Sequence, residues 1–353
     1  MFSQRLGIDL GTANSLVYLV GQGVVLNEPT VVAVSEEEGK VLAVGNEAKE
    51  MLGRTPGGIV ASRPMRDGVI ADYVVTEAML RYFLDKVCGA SRLFKPEVMI
   101  CVPAGVTQVE RRAVLDATIS AGARVAYLIE EPLAAAIGAK IPISAPSGNM
   151  IVDIGGGSTE AAVISLGGVV THKSVRVAGN RIDEAIQTFL RRKYNLVVGD
   201  RTAEEIKITI GTALAEKKSK AGGSKTGNEE KKSKAESSSE MEVRGRDSIS
   251  GMPRMVTLTA EEVAGAIAAP LSQIITAVKG VLEDTPPELA GDIIDKGIVL
   301  SGGTSLLRNL DKFLTEVTGV PCHTAEDPLL CVVRGCGVAM ENIDAFKRAV
   351  MKK

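Results

Sequence analysis

The sequence predicts an α/β protein built from two duplicated halves, and three observations support this prediction. Short β-branched runs alternate along the chain with segments of helical apolar spacing, which is typical of the α/β class. A strand, glycine-rich turn and strand near the N-terminus recur about one domain length later. The chain has 353 residues, enough for two to three domains at roughly 150 residues each. We therefore expect two similar lobes.

The elements of the first half follow in chain order. Residues 1–35 alternate β-branched runs with turn residues, which indicates a β-meander. Helical apolar spacing over 76–87 and over 109–123 predicts two helices. The apolar run 96–103 between them predicts a buried strand. Strands and helices thus alternate through this half.

The second half begins with the repeat. Residues 150–166 read as strand, turn and strand, in which Asp153-Ile154-Gly155-Gly156 matches Asp9-Leu10-Gly11-Thr12. A third glycine turn, Ser301-Gly302-Gly303-Thr304, ends a strand and opens the helical pattern SLLRNLDKFLTEV. Between these turns, residues 217–239 are rich in Lys and Ser and contain no aliphatic side chain larger than Ala. Such a segment buries too little apolar surface to offset its ordering entropy, so we expect a disordered loop.

Composition excludes several functional classes. The chain has 41 basic and 43 acidic side chains, without the strong basic bias that nucleic-acid recognition usually leaves. The five cysteines include no CxxC pair and there are two histidines, which favours neither a disulfide framework, nor a zinc site, nor a Ser-His-Asp hydrolase. No segment has the pattern of a signal peptide or approaches 18 uncharged apolar residues, so we expect neither export nor a membrane span. A reducing cytoplasm fits best.

The two Asp-x-Gly turns carry the chemistry. Each places a carboxylate at the end of a buried strand and then glycine, where backbone N–H groups can approach an anion closely. Strands follow these turns, whereas GxGxxG and P-loop motifs need a helix there, so the predicted phosphate cradle is a pair of hairpins. Asp9 and Asp153 could hold Mg²⁺ through its waters. One such turn alone is more often a plain hairpin connection, and the duplication favours the cradle.

Five ordered motifs, DLGTAN, EEPLAAAIGA, DIGGGSTE, GDRTAEEIK and VLSGGTSLL, resemble the actin and heat-shock-chaperone ATPase superfamily, which also includes sugar kinases. Within it the chain is most similar to the MreB family of bacterial actin homologues, over nearly its whole length. The resemblance implies an actin-like fold with ATP and Mg²⁺ between the lobes. It also implies cytoplasmic filaments that associate peripherally with the inner face of the membrane, and guidance of cell-wall synthesis and cell shape together with membrane-bound partner proteins.

The same resemblance implies a division of the chain. The first lobe would span 1–145 with a small subdomain at about 33–65. The second lobe would span 146–315 with a small subdomain at about 180–255 that contains the Lys- and Ser-rich insertion. Residues 316–353 would return to the first lobe.

Carried over by motif, the resemblance also implies a hydrolytic site. Glu131 precedes Pro132, where the superfamily orients the attacking water, and Ser158 would help to hold that water. Phosphoryl transfer needs mainly alignment and charge neutralisation, so one carboxylate with Mg²⁺ is sufficient. The alternative is that Glu131 only begins a helix, which Pro at the next position and the macrodipole favour. The family commonly has Thr where this chain has Ser158, and the retained hydroxyl is expected to preserve hydrolysis.

The implied ATP contacts lie in two phosphate turns, one nucleoside-contacting helix and one turn against adenine, and the implied metal residues are Asp9 and Asp153. The plain alternatives are a solvated helix face for the EEIK segment and a strand-to-helix turn for the last group. The implied contact residues are Thr12, Ala13, Asn14, Gly155, Gly156, Gly157, Glu204, Glu205, Lys207, Gly302, Gly303 and Thr304.

Two apolar side chains, Leu93 and Phe94, lie between the cations Arg92 and Lys95. They resemble the membrane-insertion loop of the family, with the cations meeting anionic headgroups. The alternative is that both side chains are tucked into their own lobe. Three other functions stay open at this point: a monomeric chaperone-type ATPase, a small-molecule kinase and a scaffold that does not hydrolyse ATP. The chain ends at Lys353 without a substrate-binding region and shows no base for a substrate hydroxyl, so a hydrolysing filament protein is the leading expectation.

Overall fold

The computed structural model describes residues 3–89, 94–214, 240–347 and 349–353. The predicted loop at 217–239 and Leu93 of the predicted membrane tip lie outside the described residues. All element bounds below refer to the described part of the chain.

The secondary structure alternates between strands and helices, as the apolar patterns predict. The strands are β1 (Arg5–Leu10), β2 (Asn14–Leu19), β3 (Gly23–Pro29), β4 (Val32–Ser35), β5 (Val41–Val44), β6 (Ile59–Ser62), β7 (Met65–Arg66), β8 (Val69–Ile70), β9 (Glu97–Val102), β10 (Val125–Glu130), β11 (Asn149–Ile154), β12 (Thr159–Ser165), β13 (Gly168–Val175), β14 (Leu196–Val197), β15 (Glu240–Asp247), β16 (Pro253–Thr259), β17 (Ile298–Ser301), β18 (Cys322–Thr324) and β19 (Met351–Lys352). The helices are α1 (Asn46–Met51), α2 (Tyr73–Cys88), α3 (Gln108–Ser120), α4 (Glu131–Gly138), α5 (Gly179–Tyr194), α6 (Asp200–Ile210), α7 (Ala260–Glu283), α8 (Pro287–Lys296), α9 (Leu310–Thr318), α10 (Cys331–Glu341) and α11 (Ile343–Phe346), with short 3₁₀ helices at Gly303–Leu306 and Pro328–Leu330.

Two central sheets share one topology. The first has the strand order β19-β10-β9-β1-β2-β3 and the second has the order β13-β12-β11-β17-β18. In each, the strand that carries the Asp-x-Gly motif is antiparallel to the following strand and parallel to a strand from much later in the chain: β1 to β9, and β11 to β17. The duplication predicted from two short motifs therefore extends to the sheets.

Strand β9 of the first sheet is buried on both faces, because its alternate side chains enter two different cores. Val98 and Ile100 of β9 belong to a core that includes α2 and α3 residues, whereas Met99 and Cys101 belong to a core that includes α4 and α10 residues. A strand that is apolar on both faces is typical of parallel pairing covered by helices. It also explains why 96–103 shows a continuous apolar run rather than alternation.

The contacts divide the chain into two compact units. One contains residues 1–179, 273–306 and 314–353, and the other contains residues 180–272 and 307–313. Both central sheets lie in the first unit. This division does not separate the two duplicated halves, so the predicted lobe boundary at 145/146 stays a prediction. Within the segment 316–353, β18 still belongs to the second sheet, and β19 pairs with β10 of the first.

Two sequence-based expectations are wrong in detail. The helical pattern SLLRNLDKFLTEV is not one helix, because Asn309 adopts a left-handed φ of 60° and α9 begins only at Leu310. The expectation that no segment is long and apolar enough for a membrane span fails for α7, by length and composition. Its buried side chains recur with helical spacing, as at Val263, Ile267 and Ile274, which is the pattern of a helix packed in a protein core.

Candidate functional site

The two motif aspartates occupy equivalent positions at the ends of β1 and β11. Asp9 lies opposite Leu16 on β2, and Asp153 lies opposite Glu160 on β12. Asp9 is partly exposed, and Asp153 is 6% exposed. The second sheet thus has two carboxylates side by side, since directly opposed residues have Cβ atoms about 5 Å apart.

Each aspartate accepts a hydrogen bond from the strand that runs parallel to its own. The Ser301 hydroxyl donates to Asp153 Oδ1 at 2.6 Å. The Cys101 thiol donates to Asp9 Oδ1 at 3.4 Å. A hydrogen bond with the Cys336 thiol and burial both raise the Cys101 pKa well above its ordinary value, so Cys101 keeps the proton that it donates.

The two predicted phosphate turns touch each other. A Cβ added to Gly156 would lie 2.6 Å from Ala13 Cβ, and one added to Gly157 would lie 2.5 Å from Thr12 Oγ1. Thr12 is 5% exposed and its hydroxyl accepts a hydrogen bond of 3.0 Å from the backbone N–H of Gly68. The glycines are therefore required by the close approach of the two turns, in the same way that a glycine-rich turn admits a phosphate.

The remaining residues of the two turns shape the hairpins. Asn14 begins β2 and pairs with Pro29. The N–H of Gly155 donates to the Ser158 carbonyl at 3.0 Å, which closes the second hairpin. Ser158 is 8% exposed, and a Cβ added to Gly68 would lie 2.9 Å from its hydroxyl oxygen. The Ser158 side chain thus lies beside the segment that contacts Thr12.

Glu131 begins α4, directly after the last residue of β10 and before Pro132. Proline is favoured in the first turn of a helix, where an acidic residue also complements the macrodipole. The structure thus places Glu131 at the start of a helix, as the plain alternative expects. Unlike an ordinary first-turn acid, however, Glu131 has a pKa raised well above the usual range, first by desolvation and then by the charges of Glu160, Asp9 and Asp153.

Glu160 is a member of the site that the sequence-based reasoning missed. It is 1% exposed. Its carboxylate accepts a hydrogen bond of 3.2 Å from the Ala104 N–H and another from the Ser174 hydroxyl. The residue stands in the DIGGGSTE motif, and its place opposite Asp153 in an antiparallel hairpin is the signal that could have identified it.

Burial and mutual repulsion dominate the electrostatics of the four carboxyls. Desolvation raises the pKa of Asp153 to about 6 and that of Glu160 to about 7. The pKa of Asp9 rises to about 7, first by desolvation and then by the charge of Asp153. The four carboxyls are those of Asp9, Asp153, Glu160 and Glu131. Within the described residues, none of the four forms an ion pair with a Lys, Arg or His side chain. The cluster therefore favours a cation.

The donor set fits Mg²⁺ held through water. Magnesium prefers carboxylate and water oxygens and usually retains several waters, with one or two carboxylates and substrate phosphates completing its shell. Among the residues that the structure describes, no three acidic, thiol or imidazole groups converge closely enough to ligate one ion directly. Asp9 and Asp153 thus match a hydrated ion beside a phosphate chain better than a closed protein cage.

The third glycine turn supports the second phosphate turn. The Thr304 hydroxyl donates to the Gly155 carbonyl at 2.7 Å. Gly302 has a φ of 82°, and a Cβ there would lie 2.4 Å from the Ile154 carbonyl oxygen. At Gly303 a Cβ would lie 3.0 Å from Leu329 Cδ2. The strand-to-helix interpretation accounts for Gly302, and the contact with adenine stays a prediction for this group.

The predicted nucleoside helix, α6, lies in the second compact unit. Glu204 is half-buried and Glu205 is exposed. Lys207 forms an ion pair of 2.9 Å with Asp183 of α5, with both side chains about 15% exposed. The structure thus gives Lys207 a partner within this unit, and the ATP contacts of the three residues stay a prediction. In the predicted membrane tip, Phe94 is 54% exposed.

Two duplicated sheets, each containing an Asp-x-Gly hairpin, together with a cluster of buried and half-buried carboxyls, define a protein of the actin-like ATPase fold, as the sequence motifs predict. The family model for MreB/Mbl protein matches residues 3–348. The chain therefore belongs to the MreB/Mbl family.

Relatives and solved structures agree with this assignment. The chain is 53% identical over 349 residues to the cell shape-determining protein MreB of Escherichia coli K12, covering 98% of this chain and 95% of the relative. It is 47% identical over 352 residues to the cell shape-determining protein Mbl of Bacillus cereus, covering 100% of both. The crystal structure of Spiroplasma citri MreB5 bound to ADP matches with a TM-score of 0.86 at 36% identity, covering 98% of both chains. The corresponding AMPPNP complex also matches with a TM-score of 0.86.

Proposed function

We propose that this chain binds ATP with Mg²⁺ at the paired hairpins, hydrolyses it, and assembles into filaments that direct cell shape and cell-wall synthesis at the inner face of the cytoplasmic membrane. One observation carries the nucleotide part: the glycines of one phosphate turn touch the threonine and alanine of the other, beside carboxyls that form no ion pair in the described part of the chain. Relatives with ADP and AMPPNP bound support this proposal.

Each group of residues has its own task in this proposal. Backbone N–H groups of the two turns bind the phosphates, and Thr12 and Ser158 supply hydroxyls. Asp9 and Asp153 would hold the hydrated Mg²⁺, whose positive charge offsets their repulsion and that of the developing phosphate charge. The Glu131 carboxylate orients the attacking water and accepts its proton. Desolvation and the neighbouring carboxyls raise the pKa of Glu131, and a perturbed carboxyl of this kind is typical of a functional site.

Phosphate release tests the hydrolytic assignment. Glu131→Ala should lower the rate of phosphate release by about 100-fold or more, the lower range for loss of a general base, while leaving binding of a fluorescent ATP analogue in place. The matched control is Glu288→Gln, because Glu288 is also a first-turn acid beside a proline, in α8, and is exposed. Equal rates for wild type and Glu131→Ala would remove the catalytic assignment.

Sedimentation and electron microscopy test the polymer and the membrane. With ATP, Mg²⁺ and anionic liposomes, we expect filaments that pellet with lipid. Leu93→Ser combined with Phe94→Ser should abolish the lipid association and leave polymerisation in solution unchanged, because burying each side chain in the interface is worth roughly 1.5–3 kcal/mol. Leu166→Ser, which removes a 71% exposed leucine from the β12–β13 turn, is the control. Monomers under all conditions would favour a chaperone-type or kinase ATPase instead.

A further inference from the structure

In both halves of the site, the aspartate lies beside a residue of a parallel strand that donates a hydrogen bond to it. The donor is a hydroxyl in the second half and a thiol in the first. In the second sheet, β11 runs parallel to β17 in a register that places Asp153 beside Ser301. In the first sheet, β1 runs parallel to β9 with Ile8 beside Ile100, so the next pair along the strands is Asp9 and Cys101. The duplication therefore makes Cys101 the counterpart of Ser301.

Each counterpart donates to one carboxylate oxygen of its own aspartate. Ser301 donates to Oδ1 of Asp153 at 2.6 Å, and Cys101 donates to Oδ1 of Asp9 at 3.4 Å. Cys101 is 4% exposed within a core that includes Met99, Ile129 and Cys336, and the Cys336 thiol is its second hydrogen-bonding partner. An apolar side chain at this position could not form the bond to Asp9, which requires a donor.

We propose that Cys101 is a positioning residue, whose thiol fixes the Asp9 carboxylate for the hydrated Mg²⁺ of the nucleotide as Ser301 fixes that of Asp153. The inference rests on the proposed nucleotide function. Partners that orient a metal-holding carboxylate are worth 10–100-fold in metal affinity when removed. A thiol is a weaker donor than a hydroxyl, so the lower end of this range applies.

The test is a Mg²⁺ titration of the full-length chain. Binding of a fluorescent ATP analogue at fixed concentration is measured against MgCl₂, and the half-saturating Mg²⁺ concentration is compared among variants. Cys101→Ala should raise it about tenfold, and Cys101→Ser, which restores a donor, should bring it back toward the wild-type value. Thermal unfolding without nucleotide shows separately whether each variant is folded.

Cys322→Ala is the matched control. It also removes a thiol that donates a hydrogen bond of 3.4 Å, but the acceptor is the backbone carbonyl of Val320. Its half-saturating Mg²⁺ concentration should match that of wild type. If Cys101→Ala and Cys322→Ala shift the concentration equally, or if Cys101→Ser is no better than Cys101→Ala, the positioning role is wrong and the thiol only fills space.

Asp9→Asn separates failure of this inference from failure of the proposed function. If Asp9→Asn raises the half-saturating Mg²⁺ concentration and Cys101→Ala does not, the aspartate has its proposed role and the thiol has none. If Asp9→Asn itself leaves the Mg²⁺ dependence unchanged, the metal assignment of the proposed function falls, and the inference about Cys101 falls with it.

Discussion

The first and second hairpins are built on one plan and differ in what surrounds the shared aspartate. Opposite Asp9 lies Leu16, which is 4% exposed, and opposite Asp153 lies Glu160, which is 1% exposed. The parallel strand supplies a thiol to Asp9 and a hydroxyl to Asp153. Duplication thus preserved the backbone and one carboxylate per half, and the chemistry of the neighbours diverged.

The two halves therefore differ in polarity around the shared aspartate. The second half is polar across its sheet, since Ser301, Asp153, Glu160 and Ser174 lie on four neighbouring strands and are linked in hydrogen-bonded pairs. The first half presents an aliphatic side chain at the corresponding place.

Placing the carboxylate of the second half at the matching position of the first should have the largest effect on stability. Leu16→Glu would place a buried carboxylate directly opposite Asp9, and we expect a loss of at least about 3 kcal/mol in the free energy of unfolding, typical of an uncompensated buried charge. Urea unfolding at pH 7.5 measures it. Leu16→Met keeps the volume and should cost less than about 1.5 kcal/mol. Equal stability of the two variants would show that the halves are interchangeable at this position.

The contact between the turns gives the second largest effect. Gly157→Ala would place Cβ 2.5 Å from Thr12 Oγ1, and the forced separation should weaken ATP binding by roughly 100-fold, at the upper end of ordinary overpacking costs. Gly168→Ala is the control, since its added Cβ would lie 4.0 Å from the nearest atom, the Ser165 carbonyl oxygen. Titration with a fluorescent ATP analogue compares them. Wild-type affinity in Gly157→Ala would mean that the turns separate freely.

The carboxyl that only the second half has should make stability depend on pH. The pKa of Glu160 is raised from 4.5 to about 7, so between these values the folded state binds more protons than the unfolded state. Its contribution to stability is therefore lost as pH rises from about 4.5 to 7. Without Mg²⁺, Glu160→Gln should be more stable than wild type at pH 8, by on the order of 2 kcal/mol.

The two proteins should be similar at about pH 3, where Glu160 is protonated in both the folded and unfolded states. Thermal unfolding across this range measures the difference. Glu130→Gln provides a comparison, because Glu130 lies in an ion pair of 2.8 Å with Arg111 and its replacement should lower stability by removing that pair. A difference between Glu160→Gln and wild type that does not vary with pH would contradict the assignment.

The parts of the site predictable from sequence are those that lie within one short motif. Asp9 and Asp153 lie near the ends of buried strands and the turn glycines follow those strands, and this spacing alone indicates hairpins. The donors to the aspartates could not be identified in this way, because Cys101 lies 92 residues from Asp9 and Ser301 lies 148 residues from Asp153. Parallel pairing brings them together, and its register is not visible in a single strand.

Glu160 shows a different limit. It stands inside a recognised motif, yet alternation along β12 does not distinguish a buried carboxyl from an exposed one when every neighbour is also buried. Similarly, the apolar periodicity over 305–317 indicates one helix. The left-handed backbone of Asn309 interrupts that helix, and apolar spacing does not reveal the interruption. Apolar periodicity thus predicts well that a helix or strand is present. It predicts poorly where tertiary contacts interrupt that element.

The smallest expected effect concerns a bond that the structure gives to the second turn. Thr304→Val removes the hydroxyl that donates to the Gly155 carbonyl at 2.7 Å, while keeping the branched shape of the side chain. Leaving the Gly155 carbonyl unpaired should cost about 1 kcal/mol of free energy. If that cost falls on the nucleotide-bound state alone, the affinity for ATP should fall roughly fivefold. Thr304→Ser keeps the donor and should bind ATP as wild type does. Should Thr304→Ser be as weak as Thr304→Val, the methyl group rather than the hydrogen bond supports the turn.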